Sequence, residues 1–300
     1  MKIVERNLID TDRWDALVSA SGSSDVFSLS FYLDIVAENW CIFVDDDYTR
    51  GIALPYVTRL GIKLCYTPTF VRYLEWYGDS MDDFRFMSEM KHHFPSGRLY
   101  TKHKIRTRKL KRRIYQVLSA SEEKEFSPQT AKMLEKFERS ELNLEWDTNE
   151  DEIIRLLRTD SPVKANALDR KTMKVLQELV EQLKQKGFLK TLNVTVGTTF
   201  LGGVFLIEFN GKLLQLRSAF TRSAKEMGAM YGVLEKAIQT AREKEMLFDF
   251  GGSNAESIKR VHHYLGGEDQ KYYVINWDNT PSWYKFLMKL RNIFKRNASF

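Results

Sequence analysis

Apolar residues along this chain alternate between two spacings, and the switches between them mark out its elements. In the first hundred residues, Trp14, Leu17 and Val18 repeat at helical spacing behind Asp12, a candidate cap, and Gly22-Ser23-Ser24 breaks the run. A second helix opens at Ser28 or Ser30 and carries Tyr32, Ile35 and Val36 on one face. Strands are then predicted at Cys41–Val44, Ile52–Val57 and Lys63–Tyr66, turned by Asp45-Asp46-Asp47 and Arg59-Leu60-Gly61. The stretch from Thr67 to Gly78 is rich in aromatics, and Ser80-Met81-Asp82-Asp83 caps a helix running to about His93. Pro95-Ser96-Gly97 ends it, and strands follow at Leu99–Ile105 and Ile114–Leu118.

A new unit begins near Ser119. Helices are predicted from Pro128 to Arg139, from Glu150 to Leu157 and from Lys171 to Lys186, with a short strand at Leu142–Trp146. The third helix has Val175, Leu176, Leu179, Val180 and Leu183 on one stripe and Gly187 at its C-terminal stop. Strands Leu192–Val196, Gly202–Phe209 and Leu213–Leu216 follow, the last two joined by Asn210-Gly211, a two-residue hairpin signal. A helix from about Lys225 to Lys244 leads to a strand at Met246–Phe250 and the Gly251-Gly252-Ser253-Asn254 loop. A short helix, Ser257 to Tyr264, and a strand, Lys271–Asn276, complete the unit.

Composition narrows the class. Three hundred residues, 43% hydrophobic and 29% charged, fit one large or two medium globular domains. No run approaches the roughly 20 apolar residues of a spanning helix, and the N-terminus shows no signal-peptide pattern. Two cysteines, Cys41 and Cys65, make neither a CxxC nor a disulfide framework, so a reducing cytoplasm is expected. His92-His93 and His262-His263 are adjacent pairs that diverge by about 100° on a helix; with no HExxH or HxH, no metal is expected. The net charge of +6 is uneven: residues 102–113 hold eight Lys/Arg and no acid. Such a run either attracts phosphate, acidic lipid or nucleic acid, or is a solvated face.

The stretch Phe248-Asp249-Phe250-Gly251-Gly252-Ser253-Asn254, followed by Ile258, Val261, Leu265, Gly266 and Gly267, resembles the signature near the end of Fem-type acyltransferases. Upstream, Gly202-Gly203, Asn210-Gly211, Ser218-Ala219, Gly228 and the helix text Leu234, Ala237, Ile238, Ala241 are similar to the same family. So, at the front, are Val26-Phe27-Ser28, Phe31-Tyr32, Ala53-Leu54-Pro55-Tyr56 and Thr67-Pro68. The resemblance implies an α/β (α+β) fold of two tandem GNAT-like modules with mixed sheets. They are expected at 1–118, joined by the tail 278–300, and at 119–277. It also implies an N-acyltransferase that moves an acyl or aminoacyl group from acyl-CoA or aminoacyl-tRNA to a small-molecule or peptide amine, as Fem-type enzymes do in building peptidoglycan cross-bridges. The alternative is an inactive scaffold that binds tRNA or an acidic partner. Two departures stand out. The segment Ser127–Phe137 lacks the family's Arg pair, and Lys225-Glu226-Met227-Gly228-Ala229-Met230 only half matches the GNAT pyrophosphate loop.

Acyl transfer needs a held donor, a polarised carbonyl and a deprotonated amine. A helix N-terminus holds phosphate through free N–H groups and its dipole. The helix at Lys225, with Arg217, Arg222, Lys225 and Gly228, is therefore the candidate donor site; the competing reading is that Gly228 and Gly232 only let the helix pack closely. Asp249 and Glu208 are candidate bases, although an Asp at 249 also suits ordering of the Gly-Gly loop. Tyr231 is a candidate proton donor, and Ser253 and Asn254 are candidate caps or substrate contacts. By family analogy Tyr73, Trp76 and Tyr77 line an acceptor groove; core packing is the other reading. In the tail, Trp283, Phe286, Leu287, Leu290 and Phe294 share one side of a helix, apart from Lys285, Lys289, Lys295 and Arg296. That helix either docks on the protein or lies on an anionic membrane through residues 283–296.

Overall fold

The structure is a computed structural model that describes residues 1–22, 24–107, 110–121, 127–146, 149–159, 168–252 and 256–297, the last seven by backbone alone. In chain order the elements are β1 Lys2–Glu5, α1 Thr11–Ala20, α2 Ser30–Val36, β2 Asn39–Val44, β3 Gly51–Arg59, β4 Ile62–Tyr66, β5 Trp76–Tyr77, α3 Asp83–His93 and β6 Ser96–Thr101. Then follow β7 Leu110–Leu118, α4 Pro128–Glu138, β8 Asn143–Trp146, α5 Glu150–Thr159, α6 Arg170–Gln185, β9 Leu189–Val196, β10 Thr199–Phe209 and β11 Lys212–Phe220. The last are α7 Arg222–Glu226, α8 Ala229–Glu243, β12 Leu247–Asp249, α9 Glu256–Tyr264, β13 Glu268–Asp278 and α10 Ser282–Asn297.

Two compact units emerge, each built from more than one stretch of chain. The first is Met1–Leu17, Ala37–Arg113 and Tyr272–Phe300; the second is Val18–Val36 and Ile114–Lys271. In the first, the strand order is β1-β2-β3-β4-β6-β13. All neighbours are antiparallel except β4 and β6, which run parallel with α3 between them in sequence. In the second, the order β8-β9-β10-β11-β12-β7 repeats that pattern of directions. There too the one parallel pair, β11 and β12, is bridged by helix, α7 and α8. Each unit is thus a mixed sheet whose main path has six strands and one parallel crossover, with β5 added beside β3 in the first, the architecture expected from the sequence.

The boundaries differ from those expected at 118 and 119, for identifiable reasons. The β10–β11 turn carries Asn210 and Gly211 at φ of 44° and 68°, the positive values that a two-residue hairpin demands. The Asn210 amide then donates to the carbonyls of Ser19 and Ser21, at 3.2 and 3.3 Å, and to the Ser24 hydroxyl at 2.6 Å. Beside it Lys212 Nζ meets Asp25 Oδ1 at 2.9 Å in a nearly dry pair. These bonds tie Val18–Val36 to the second unit. The other shift is an exchange of sixth strands. β7, which follows β6 in sequence, pairs with β12, and β13, which follows β12, pairs with β6.

Local corrections have equally local causes. Asp10, rather than Asp12, accepts the Arg13 N–H at the start of α1. Pro95-Ser96-Gly97 does not delay a strand to Leu99, because β6 starts at Ser96 and Gly97 makes room for the Trp277 indole of β13. The predicted Lys225–Lys244 helix is broken by Gly228 at φ 86° into α7 and α8. The core of the second unit lies between α8 and the sheet, where Val233, Leu234, Ala237 and Ile238 meet Leu192, Val204, Leu206, Leu213 and Phe248.

Candidate functional site

The site of the second unit is set by what happens along β11. Its parallel ladder with β12 runs through Lys212, Leu213 and Leu214 and ends at the pair Leu214–Asp249. β11 continues to Phe220 without that partner, while the chain after Asp249 turns away through Gly251 and Gly252, at φ 77° and 73°. On its other edge β11 holds an extra residue: Arg217 faces Phe205 and Gln215 faces Leu206, leaving Leu216 as a bulge. A bulge bends its strand and increases local twist, which opens the slot between β11 and β12. The β11–β12 slot begins where the ladder gives out, with Gln215 and Gly251 at its apex; a Cβ on Gly251 would stand 2.2 Å from the Gln215 carbonyl oxygen.

Pleat alternation sorts the side chains of the open part. Gln215 lies opposite Leu206, a member of the α8-side core, so it points to that side. Arg217 lies opposite Phe205 on the other side, where Ile153 of α5 covers Gly203. Half-burial pulls the Arg217 guanidinium below its ordinary pKa by desolvation, yet it remains a cation. The buried Gln215 side-chain oxygen has no hydrogen-bond partner.

At the mouth of the slot, Thr221 caps α7 by accepting the Ala224 N–H at 3.3 Å, and Gly228 then starts α8 with no side-chain cap. The Tyr231 N–H turns back to the Gly228 carbonyl at 2.9 Å, and no side chain occupies the start of α8, where Gly228 and Ala229 are buried. The equivalent crossover helix of the first unit is closed: Asp82 accepts from Phe84 N and Arg85 N at 3.0 and 3.1 Å. A carboxylate already occupies that helix start, and it repels an anion where α8 would attract one.

The other sequence candidates fall as follows. Lys225 is exposed on α7. Arg222 is 91% exposed and pairs with Glu226 at 2.9 Å one turn on, so it does not face the slot. Gly228 and Gly232 make room for α4: added Cβ atoms would meet the Met133 carbonyl and the Phe137 ring, each at 2.6 Å. α4 therefore covers Gly228 on the side where a ligand was expected to approach. Asp249 is buried at the apex, where Oδ1 accepts the Gly251 N–H at 2.9 Å and shapes the turn. Glu208 lies opposite Leu213, on the closed side of the last ladder pair, and its carboxylate meets Lys244 at 2.8 Å. Tyr231 sits in the first turn of α8, 8% exposed, its phenol pushed up first by burial and then by Tyr264. Ser253 and Asn254 lie outside the described residues.

In the first unit, Tyr73, Trp76 and Tyr77 are core, at 1%, 6% and 2% exposure. Trp76 Nε1 donates to the Asp79 carbonyl, and Tyr77 meets Trp14 edge-on at 5.9 Å. The groove expected from them is filled by their own packing. Cys41 and Cys65 are buried, and burial pushes both thiols up, so neither is a ready nucleophile. Among the described residues no cluster of three metal-ligating side chains occurs. Missed from sequence were the Leu216 bulge and the bare start of α8; the Met227-Gly228 step was the one signal for the latter.

The fold is that of two tandem GNAT-like modules, as in the tandem GNAT structure described below. Residues 124–264 match the family model described as "Acetyltransferase (GNAT) domain". Among solved structures the fold is similar to FemX, with 10% identity over 91% of this chain and 97% of that one and a TM-score of 0.63. It is also similar to L-PGS from Bacillus licheniformis, with 10% identity over 99% of both chains and a TM-score of 0.56. A tandem GNAT protein from the clavulanic acid biosynthesis pathway matches at 11% identity over 94% and 99%, with a TM-score of 0.52. No curated protein sequence matches. No helix among the described residues is long and apolar enough to cross a membrane.

Proposed function

We propose that the second unit transfers an acyl group from a phosphate-bearing activated donor to an amine. The reading rests on one contrast: of the two crossover helices, only α8 opens on an uncapped glycine beside a splayed strand pair. The donor's phosphates would lie at the first N–H groups of α8, near Lys225, and its acyl arm would enter between β11 and β12. The amine nitrogen attacks the carbonyl carbon, the carbon–sulfur or carbon–oxygen bond to the donor breaks, and the amine loses a proton. Tyr231, held protonated by burial, is the candidate donor of a proton to the leaving group, and Arg217 supplies positive charge on the α5 side of the slot.

Acyl-CoA is the donor we favour, because the matched family is an acetyltransferase domain. Aminoacyl-tRNA is the other source of the same chemistry, supported by the Fem-like text, and an amine of a cell-envelope precursor is the favoured acceptor. Acetyl-CoA is expected to raise the melting temperature, and Lys225→Glu to weaken its binding about tenfold by placing a carboxylate near the helix start. Calorimetric titration with acetyl-CoA and, separately, with aminoacyl-tRNA decides the source. If neither heats nor stabilises the protein, the transferase reading falls and the scaffold reading takes its place.

A further inference from the structure

The tail helix turns the wrong face inward for a docked amphipathic segment. α10 is anchored by Tyr284, which is 5% exposed, while Trp283, Phe286 and Leu287 are 50%, 61% and 40% exposed. Successive helical positions differ by about 100°, so these three residues form one outward stripe. Of the stripe expected to dock or to meet a membrane, Trp283, Phe286 and Leu287 face outward and Leu290 is half-buried, while Tyr284 on the neighbouring face is buried; the Phe294 side chain lies outside the described residues.

Charge says what covers the stripe. Across Ser282–Asn297 the sequence has five Lys/Arg and no Asp or Glu. Lys285 shares its charge with Asp278 at 3.5 Å, and Lys289 is exposed. Just before α10, Asp278 and Asn279 line a groove of about 1300 Å³ that also holds Phe84, 86% exposed, with Lys91 and Arg106. The groove also holds Asp82 and Asp83, so the cationic excess is that of α10 itself; exposed aromatics on so basic a helix match the boundary between headgroups and acyl chains of an anionic bilayer, where a ring is buried and a lysine meets phosphate. A second copy of this chain would place the same cations against each other.

We propose that α10 lies in the surface of an anionic lipid membrane, with Trp283, Phe286 and Leu287 inserted and Lys289 at the headgroups. The test is flotation of the full chain with vesicles of phosphatidylcholine alone or mixed with phosphatidylglycerol. The protein is expected to float with the mixed vesicles only. A Phe286→Glu, Leu287→Glu double variant is expected to lose about 100-fold in partitioning. Lys289→Gln is expected to lose about fivefold. Both variants change exposed side chains and are expected to keep the wild-type melting temperature, which separates lost binding from lost folding. The proposal is overturned if wild type stays out of phosphatidylglycerol vesicles or binds both vesicles equally. It is also overturned if the double variant floats like wild type, or if α10 proves to hold a dimer that the double variant dissociates.

Discussion

Replacing Gly251 with alanine is expected to destabilise the second unit by about 3 kcal/mol and to abolish donor binding. The cost has two sources. A φ of 77° is unfavourable for a residue with a Cβ by about 1 kcal/mol. The added methyl would also stand 2.2 Å from the Gln215 carbonyl oxygen, a backbone atom that moves only with β11; overpacking of this kind costs about 1–3 kcal/mol. Relief must come from shifting β11 against β12, the strands whose separation shapes the slot. A melting temperature lower by roughly 6–12 °C is the expected reading for a unit of this size, together with loss of the stabilisation proposed above for acetyl-CoA on wild type. A variant that melts like wild type and still responds to the donor would show that the apex is not where the structure places it.

A second large effect belongs to His262. Its ring is 4% exposed, stacks on Phe250 at 4.7 Å, and meets the Gln116 side-chain oxygen at 3.1 Å. Gln116 donates its amide to Asp269, so its oxygen is the acceptor and His262 carries its proton on Nδ1. Burial, with a smaller push from His263, pulls the pKa down from 6.5 to about 4. The unfolded chain therefore binds a proton at a pH where the folded one does not. Stability from this group is full above pH 6.5 and is lost as pH falls toward 4. The loss by pH 4.5 is on the order of 2–3 kcal/mol. Urea unfolding of wild type and His262→Gln at pH 7 and pH 4.5 isolates it, since the other titrating groups are common to both. The wild type is expected to lose that much more than the variant; parallel losses would assign the acid sensitivity elsewhere.

Much of the fold was legible because local chemistry decides it. Asn210-Gly211 made its hairpin, and Leu176, Leu179, Val180 and Leu183 faced inward on α6 as their spacing required. The site was legible only in outline. Asp249, Tyr231 and Arg217 are near the slot, but Glu208 is at the closed end, because which end opens depends on a bulge at Leu216 that leaves no mark in residue type. Tyr73, Trp76 and Tyr77 could not be sorted from sequence, since a tyrosine or tryptophan suits a core and a groove equally well. The role of the α10 stripe was left open for a related reason. Tyr284 is a single residue, and its anchoring of the helix outweighs a longer apolar stripe only once the surface it meets has been built.

The exchanged strands reverse the order in which the modules can be finished during synthesis. By the time Asp249 has left the ribosome, the later-encoded sheet has all six of its members. The earlier-encoded one still lacks β13 and presents the bare backbone of β6, an edge able to recruit a stranger. The first unit is thus the last to close, and its safe maturation waits on the synthesis of β13.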